Sequence, residues 1–240
     1  MLSQEEAREA VIVALDCSRD DALSLADKLA GRASWVKVGM TLYYACGPSI
    51  VEQLRKRGLH VFLDLKLHDI PFQVRGAARV ASLVGADLLS VHGLGGSEMV
   101  AQARAGIEEA ASERGSRTQL VAISVLTSLS RDDLVSIGIE FSVEAEVARL
   151  AMLSVDAGAD GVVCSPQEAS AMRKSLGPSG LIVTPGIRPT GSALEDQQRV
   201  STPSRALAAG ASKLVIGRPI TRAQDPAVAF DAIVQELMRP

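Results

Sequence analysis
The stretch from Val61 to His92, VFLDLKLHDIPFQVRGAARVASLVGADLLSVH, sets how the whole chain is read. It opens on an apolar run, Val61–Leu65, that is too short for a helix and is bounded by turn residues. Pro71 then starts a helical pattern over Phe72–Val84. Gly85 stops that helix as a left-handed cap would, and Ala86-Asp87 leads into a second short run, Leu88–His92. Strand, helix, glycine stop and strand within about 30 residues make one step of a parallel β-α-β chain.

The same step repeats in both directions. Strands are expected at Val11–Leu15, Trp35–Gly39, Val61–Leu65, Leu88–His92, Leu120–Leu126, Gly161–Cys164, Leu181–Thr184 and Leu214–Gly217. Helical patterns fill the intervals at Asp20–Leu29, Pro48–Arg57, Phe72–Val84, Glu98–Arg114, Val143–Ala157, Pro166–Leu176, Thr202–Ala209 and Pro226–Met238. Ser142 is placed to cap one helix, Ser165-Pro166 puts proline at a first helical position, and Gly158 and Gly210 repeat the stop of Gly85. Eight such units in 240 residues predict a closed (β/α)8 TIM barrel, a single domain over 1–240. The alternative, a doubly wound open sheet, would carry a glycine-rich turn after its first strand, where this chain has Asp16-Cys17-Ser18.

Composition narrows the class of function. No apolar run reaches the roughly 18 residues of a membrane span, and the polar start MLSQEEAREA reads as neither signal nor transit peptide. Aromatics at 3% and a net charge of −3 argue against nucleic-acid partners. Cys17, Cys46 and Cys164 have no framework or zinc spacing, and read as reduced thiols of a cytoplasmic protein. His60, His68 and His92 lack metal-site spacing, so no metal is expected. The 25 basic residues comprise 19 Arg and only six Lys. Four of those, Lys28, Lys56, Lys174 and Lys213, fall at helical or strand-edge positions where solvated charge is expected; Lys37 and Lys66 do not.

Barrel enzymes carry their chemistry at the C-terminal ends of strands. Alternation puts Phe62, Asp64 and Lys66 on the inward face of strand three, with Leu63, Leu65 and Leu67 outward. It turns Lys37 inward on strand two. Asp16 ends strand one, and Asp69 lies in the turn before Pro71. Five charges are thus expected near one rim, where alternating Lys and Asp offset the expense of burial. A structural ion-pair network is the plain alternative. Strand seven runs into Gly186 and Arg188, and strand eight into Gly217 and Arg218. These are the loops that hold phosphate in many barrels, through backbone amides and an arginine fork. The pattern points to a phosphorylated small molecule with its reacting part over the Lys/Asp cluster.

These residues resemble a known family. DLKLHDIP (64–71) is similar to the D-x-K-x-x-D-I-P signature of the orotidine 5′-phosphate decarboxylases, in their shorter bacterial type. ALD ending at Asp16, VKVGM around Lys37, VLTS at Thr127, TPGIRP at Arg188, DQQRV at Gln197 and the C-terminal Gly217-Arg218 follow in family order along essentially the whole chain. The resemblance implies decarboxylation of orotidine 5′-monophosphate to UMP, without metal or cofactor, by a cytoplasmic homodimer. It implies that Lys66 protonates the ring carbon and that Asp64 sits against the substrate carboxylate. Lys37 and Asp69 complete the Lys-Asp-Lys-Asp array, with Asp69 reaching the neighbouring subunit's site. Asp16 and Lys37 would hold ribose hydroxyls and Thr127 the pyrimidine edge. Ile70 and Pro185 would line the substrate, and Arg188, Gln197, Gly217 and Arg218 would hold the phosphate. The family commonly reads Asp-Ile-Pro-Asn-Thr where this chain has Phe72 and Gln73; Gln73 takes the place of a threonine that touches ribose from the partner. The loop 188–198, RPTGSALEDQQ, is the candidate lid.

Two other functions stay open on the sequence. A magnesium-dependent keto-sugar-phosphate decarboxylase or aldolase shares D-x-K-x-x-D, but usually carries an acid where Lys37 stands. A catalytically silent phosphate-binding barrel would not need the Lys-Asp array.

Overall fold
The computed structural model describes residues 1–189 and 201–239. The eight apolar runs form strands β1 (Val11–Ala14), β2 (Trp35–Gly39), β3 (His60–Leu67), β4 (Leu88–His92), β5 (Gln119–Ile123), β6 (Gly161–Val163), β7 (Leu181–Thr184) and β8 (Lys213–Ile216). All neighbours pair in parallel, and β1 pairs with β8, so the sheet closes in chain order. The open-sheet alternative is excluded.

Alternation along the strands sorts the core into two shells. Ile12, Ala14, Trp35, Phe62, Leu88, Val121, Val183 and Val215 pack inside the barrel. Val13, Val36, Val38, Leu63, Leu89, Leu120 and Ile216 belong to the outer layer, packed with the helices. Barrel closure therefore makes strand parity decide which side chains reach the central mouth.

The glycine stops behave alike. Gly85, Gly158 and Gly210 have φ of +107°, +104° and +105°. The amides of Ala86, Ala159 and Ala211 reach back to the carbonyls of Ala81, Ser154 and Ala206, closing each helix as a Schellman motif does. The residue that follows then serves the sheet. Asp87 accepts from Val61 N at 2.9 Å, Asp160 from Leu120 N at 2.8 Å and Ser212 from Ile182 N at 3.1 Å. Arginines hold these corners: Arg55 and Arg114 at Asp87, Arg104 and Arg117 at Asp160, Arg173 at Ser212.

Some boundaries move. β5 ends at Ile123 rather than Leu126, since Ser124 turns its hydroxyl onto Val163 O at 2.9 Å. The helix expected from Pro166 begins at Ala169, because Ser165 N–H and hydroxyl bond the Glu168 carboxylate and hold the intervening residues as a turn. Helices Gln4–Ala10, Met40–Cys46, Arg131–Ser136 and Arg218–Thr221 were not anticipated. Lys213 is a correction of another kind. Its side chain is only 13% exposed, lies 4.1 Å over the Trp35 ring and donates to Glu9 O at 2.7 Å. Burial pushes its pKa down, against the pull of Glu9. It closes the floor of the barrel rather than meeting solvent.

Helices Pro71–Leu83 and Gly96–Arg114 touch through Gly106, where an added Cβ would lie 2.1 Å from Arg75 O. Propensity alone would make Gly106→Ala stabilising by up to about 1 kcal/mol. The clash reverses the sign: a loss of about 1–3 kcal/mol is expected, read as a fall in Tm of roughly 2–4 °C per kcal/mol. A raised Tm would show that the two helices can separate freely.

Candidate active site
The C-terminal rim gathers the expected cluster. Lys37 Nζ lies 2.9 Å from Asp16 Oδ1 and 3.6 Å from Asp64 Oδ2. Lys66 Nζ lies 2.8 Å from the same Asp64 Oδ2. Asp64 is 9% exposed, so a carboxylate is held between two ammonium groups almost out of water. Burial alone would raise its pKa; Lys37, Lys66 and hydrogen bonds from Lys66 and Ser90 overcome that and hold it below the usual carboxylate range.

Lys66 reaches this position by an unexpected backbone. Simple alternation places it, but the β3–β4 register shifts between Leu63 and Leu67. Lys66 has φ +51°, the one non-glycine residue with positive φ among the described residues. Such a conformation costs about 1–3 kcal/mol and persists only where surroundings enforce it. Here Ser90 Oγ accepts from Lys66 N at 2.9 Å and donates to Asp64 Oδ1 at 2.9 Å. The sequence reading missed Ser90. Its signal was the alternation of Leu88, Ser90 and His92 on the inward face of β4.

His92 follows Ser90 on the same face of β4. It is buried, its ring stacks on His68 at 5.3 Å, and Nδ1 accepts from Leu94 N at 3.4 Å. Burial, then the positive charges of His68 and Lys66, push its pKa down to about 4.

Three adjoining hollows share Lys37. The largest, about 710 Å³, is lined by Asp16, Lys37, Pro185, Gly186, Arg188, Gly217 and Arg218. A second, about 320 Å³, lies between Asp16, Lys37, Met40, Asp64 and Lys66. The third, about 160 Å³, is mostly apolar, bounded by Phe62, Ile123, Val125, Thr127, Pro185 and Val215 around Lys37, Asp64 and Lys66. Arginine-bearing loops thus lie at one end, a small, mostly apolar hollow at the other, and the Lys/Asp cluster between them.

Three expected residues do not join the cluster within one chain. Asp69 is exposed and its Oδ1 accepts from Ile70 N at 2.6 Å. Ile70 is 62% exposed and Gln73 is exposed on the first turn of helix Pro71–Leu83. Gln197, and most of the candidate lid, lie outside the described residues. Among the described residues no three His, Cys, Asp or Glu side chains converge as a metal-binding group, and no helix is long and apolar enough to cross a membrane.

The burial of His92 has a measurable consequence. Its folded pKa lies below the unfolded value near 6.5, so between those values the unfolded chain binds more protons. Its contribution makes stability rise with pH across that window and fall as pH drops from about 6.5 towards about 4. His92→Gln is expected to flatten this slope in denaturant titrations at several pH values. An unchanged slope would show that His92 titrates as in the unfolded chain.

Comparison with known proteins agrees with this geometry. The model of the family described as "Orotidine 5'-phosphate decarboxylase / HUMPS family" matches residues 9–233. A protein of Moorella thermoacetica named orotidine 5'-phosphate decarboxylase is 49% identical over 234 residues, covering 96% of this chain and 93% of its own. One of the same name from Pseudomonas aeruginosa is 49% identical over 228 residues, covering 95% and 97%. The crystal structure of orotidine 5'-phosphate decarboxylase from Lactobacillus acidophilus is 37% identical and superimposes with a TM-score of 0.87, covering 96% of this chain and 100% of that one. An uncharacterised conserved protein from Geobacillus kaustophilus, 38% identical, gives 0.85 and covers 95% and 99%. Rim charges, phosphate-type loops, closed barrel and sequence likeness along nearly the whole length agree, and the chain belongs to the orotidine 5'-phosphate decarboxylase / HUMPS family.

Proposed function
We propose that this chain is a carboxy-lyase that decarboxylates orotidine 5′-monophosphate to UMP, the last step of UMP biosynthesis, with Lys66 as proton donor. The observation that carries the reading is the pair of ammonium groups flanking buried Asp64, beside a small, mostly apolar hollow of about 160 Å³. The phosphate would lie in the larger hollow against Arg188, Gly217 and Arg218, with Gln197 from the following segment. Asp16 and Lys37 would take the ribose hydroxyls. The ring would enter the apolar hollow, one edge on Thr127 and a face against Pro185.

In that pose the substrate carboxylate faces Asp64. The ring-carbon–carboxylate bond breaks, carbon dioxide leaves as a neutral molecule, and the electron pair stays on the ring carbon. Departure relieves the repulsion between two carboxylates. The fixed Lys66 ammonium already stands where negative charge develops, so it stabilises the carbanion without reorganisation. It then transfers a proton to that carbon and recovers one from solvent. Phosphate contacts distant from the reacting carbon supply binding energy for closing the site.

The magnesium-dependent reading fits less well, because Lys37 and Lys66 place two cations where a third would have to bind. On the present reading no metal or cofactor is needed, and activity is expected to survive chelator. A silent barrel would have no use for the strained Lys66. We further place the enzyme in the cytoplasm, where Cys17, Cys46 and Cys164, which form no disulfide, would stay reduced.

We also infer a homodimer in which Asp69, Ile70 and Gln73 act across the interface. Asp69 is exposed beside its own site. Met40 (46% exposed) and Tyr44 (75%), on the helix after β2, and Ile70 (62%) and Phe72 (79%), at the helix after β3, leave large apolar groups uncovered.

Turnover is followed by the absorbance change as orotidine 5′-monophosphate becomes UMP. Lys66→Ala is expected to lose nearly all activity with its fold intact; substantial residual turnover would refute the proton-donor role. Mixing Lys66→Ala with Asp69→Ala protein is expected to restore activity, since a hybrid dimer holds one complete site. Subunit exchange without recovery would refute the shared site.

A further inference from the structure
Ser90 stands at the centre of the rim without a role in the scheme above. It lies on β4, wholly buried, two residues beyond Leu88, which packs inside the barrel. Its hydroxyl does two things at once. The oxygen accepts the backbone N–H of Lys66, and the proton goes to Asp64 Oδ1, both at 2.9 Å. Those two partners are the residues whose positions matter most to the reaction, and neither is in a relaxed state. Lys66 is left-handed at φ +51°, where a non-glycine side chain crowds its own backbone. Asp64 is a nearly inaccessible carboxylate whose other oxygen, Oδ2, is taken by Lys66 Nζ at 2.8 Å and approached by Lys37 Nζ at 3.6 Å.

The backbone explains why a clamp is needed here. β3 pairs regularly with β4 at Phe62–Leu88 and Leu63–Leu89, then slips so that Leu67 faces Val91. Across the slip Lys66 has no paired residue on β4, and its amide bonds the Ser90 side chain. A buried N–H without a partner is unfavourable. The Ser90 side chain fills that gap with a hydroxyl, the side-chain group that can donate and accept together at short reach. Alanine could do neither, and a carboxylate could not donate to Asp64.

We propose that Ser90 is a positioning residue for the decarboxylation: through Lys66 N–H and Asp64 Oδ1 it locks the left-handed turn that aims the Lys66 ammonium and fixes the carboxylate that faces the leaving group. It touches no substrate in this account. It is therefore expected to act on the chemical step and not on phosphate or ribose binding, whose residues lie on β1, β2, β7, β8 and their loops.

The proposal rests on the decarboxylase reading, and the test keeps the two apart. Ser90→Ala and Ser90→Thr are compared with wild type for kcat and KM with orotidine 5′-monophosphate, UMP affinity, Tm and hydrogen exchange of the Lys66 amide. For Ser90→Ala, kcat is expected to fall tenfold or more, with KM and UMP affinity within about threefold and the cooperative melt retained. The Lys66 amide is expected to exchange at least tenfold faster. Ser90→Thr, which keeps the hydroxyl, is expected to regain most of the lost kcat and the slow exchange. Ser90→Ala with kcat within twofold of wild type, or with Lys66 exchange unchanged, would overturn the proposal. So would parallel loss of kcat, UMP affinity and cooperative melting, or a threonine variant no better than alanine. A wild-type protein that binds UMP but does not turn over substrate would overturn the decarboxylase reading, while the exchange measurement would still report on the clamp.

Discussion

The arrangement at the rim depends on one buried carboxylate. Asp64 is held between Lys66 at 2.8 Å and Lys37 at 3.6 Å, with its second oxygen on Ser90. Taking three charges out of water is unfavourable unless each has a partner in good geometry. The group is therefore mutually dependent: removing either ammonium would leave Asp64 paired with one cation instead of two. The sheet makes it possible, because β2, β3 and β4 are adjacent and Lys37, Asp64 and Ser90 all lie on their inward faces.

The two ends of the barrel use cations differently. On the strand-entry side, arginines clamp the turns that start β4, β6 and β8. Arg173 alone donates to Gly177, Gly180 and Gly210 carbonyls and to Ser212 Oγ. A planar fork with five donors suits such corners. At the other end, Lys37 and Lys66 present compact ammonium groups, and Lys66 can give up a proton that guanidinium would keep. The excess of Arg over Lys thus leaves lysine conspicuous where a transferable proton is wanted. Lys213, the one other lysine drawn inward, spends its charge on Trp35 and Glu9 at the floor.

Much of this is legible in the amino-acid sequence. Parity along FLDLK is enough to turn Asp64 and Lys66 inward, and the repeated Gly-Ala-Asp and Gly-Ala-Ser stops set the period of the barrel. Other features have no local signature. Nothing in Leu65-Lys66-Leu67 announces a left-handed residue, since the conformation is imposed by the β3–β4 slip and by Ser90. A serine among leucines on β4 looks ordinary until its neighbours on β3 are known. Lys213 was misread because its partners, Glu9 and Trp35, are distant in sequence. The helix Gln4–Ala10 was signalled by the Ser3…Glu6 capping box, which the structure forms, but went unread. The four-residue turn Arg218–Thr221 is too short to show any periodicity. Position alone put Asp69 near the rim; its reach into another copy of the chain, like the roles of Ile70 and Gln73, is legible only as a resemblance.

The most direct test of the account is a crystal structure of the protein with a nucleoside monophosphate bound. The account places the phosphate between the loops carrying Arg188 and Gly217-Arg218, the ribose on Asp16 and Lys37, and the ring in the mostly apolar hollow beside Thr127. Lys66 Nζ should then lie within hydrogen-bond distance of the ring carbon that would carry the carboxylate, on its left-handed backbone and still bonded to Ser90. A nucleotide seated elsewhere, or a ring turned so that this carbon faces away from Lys66 and Asp64, would contradict it.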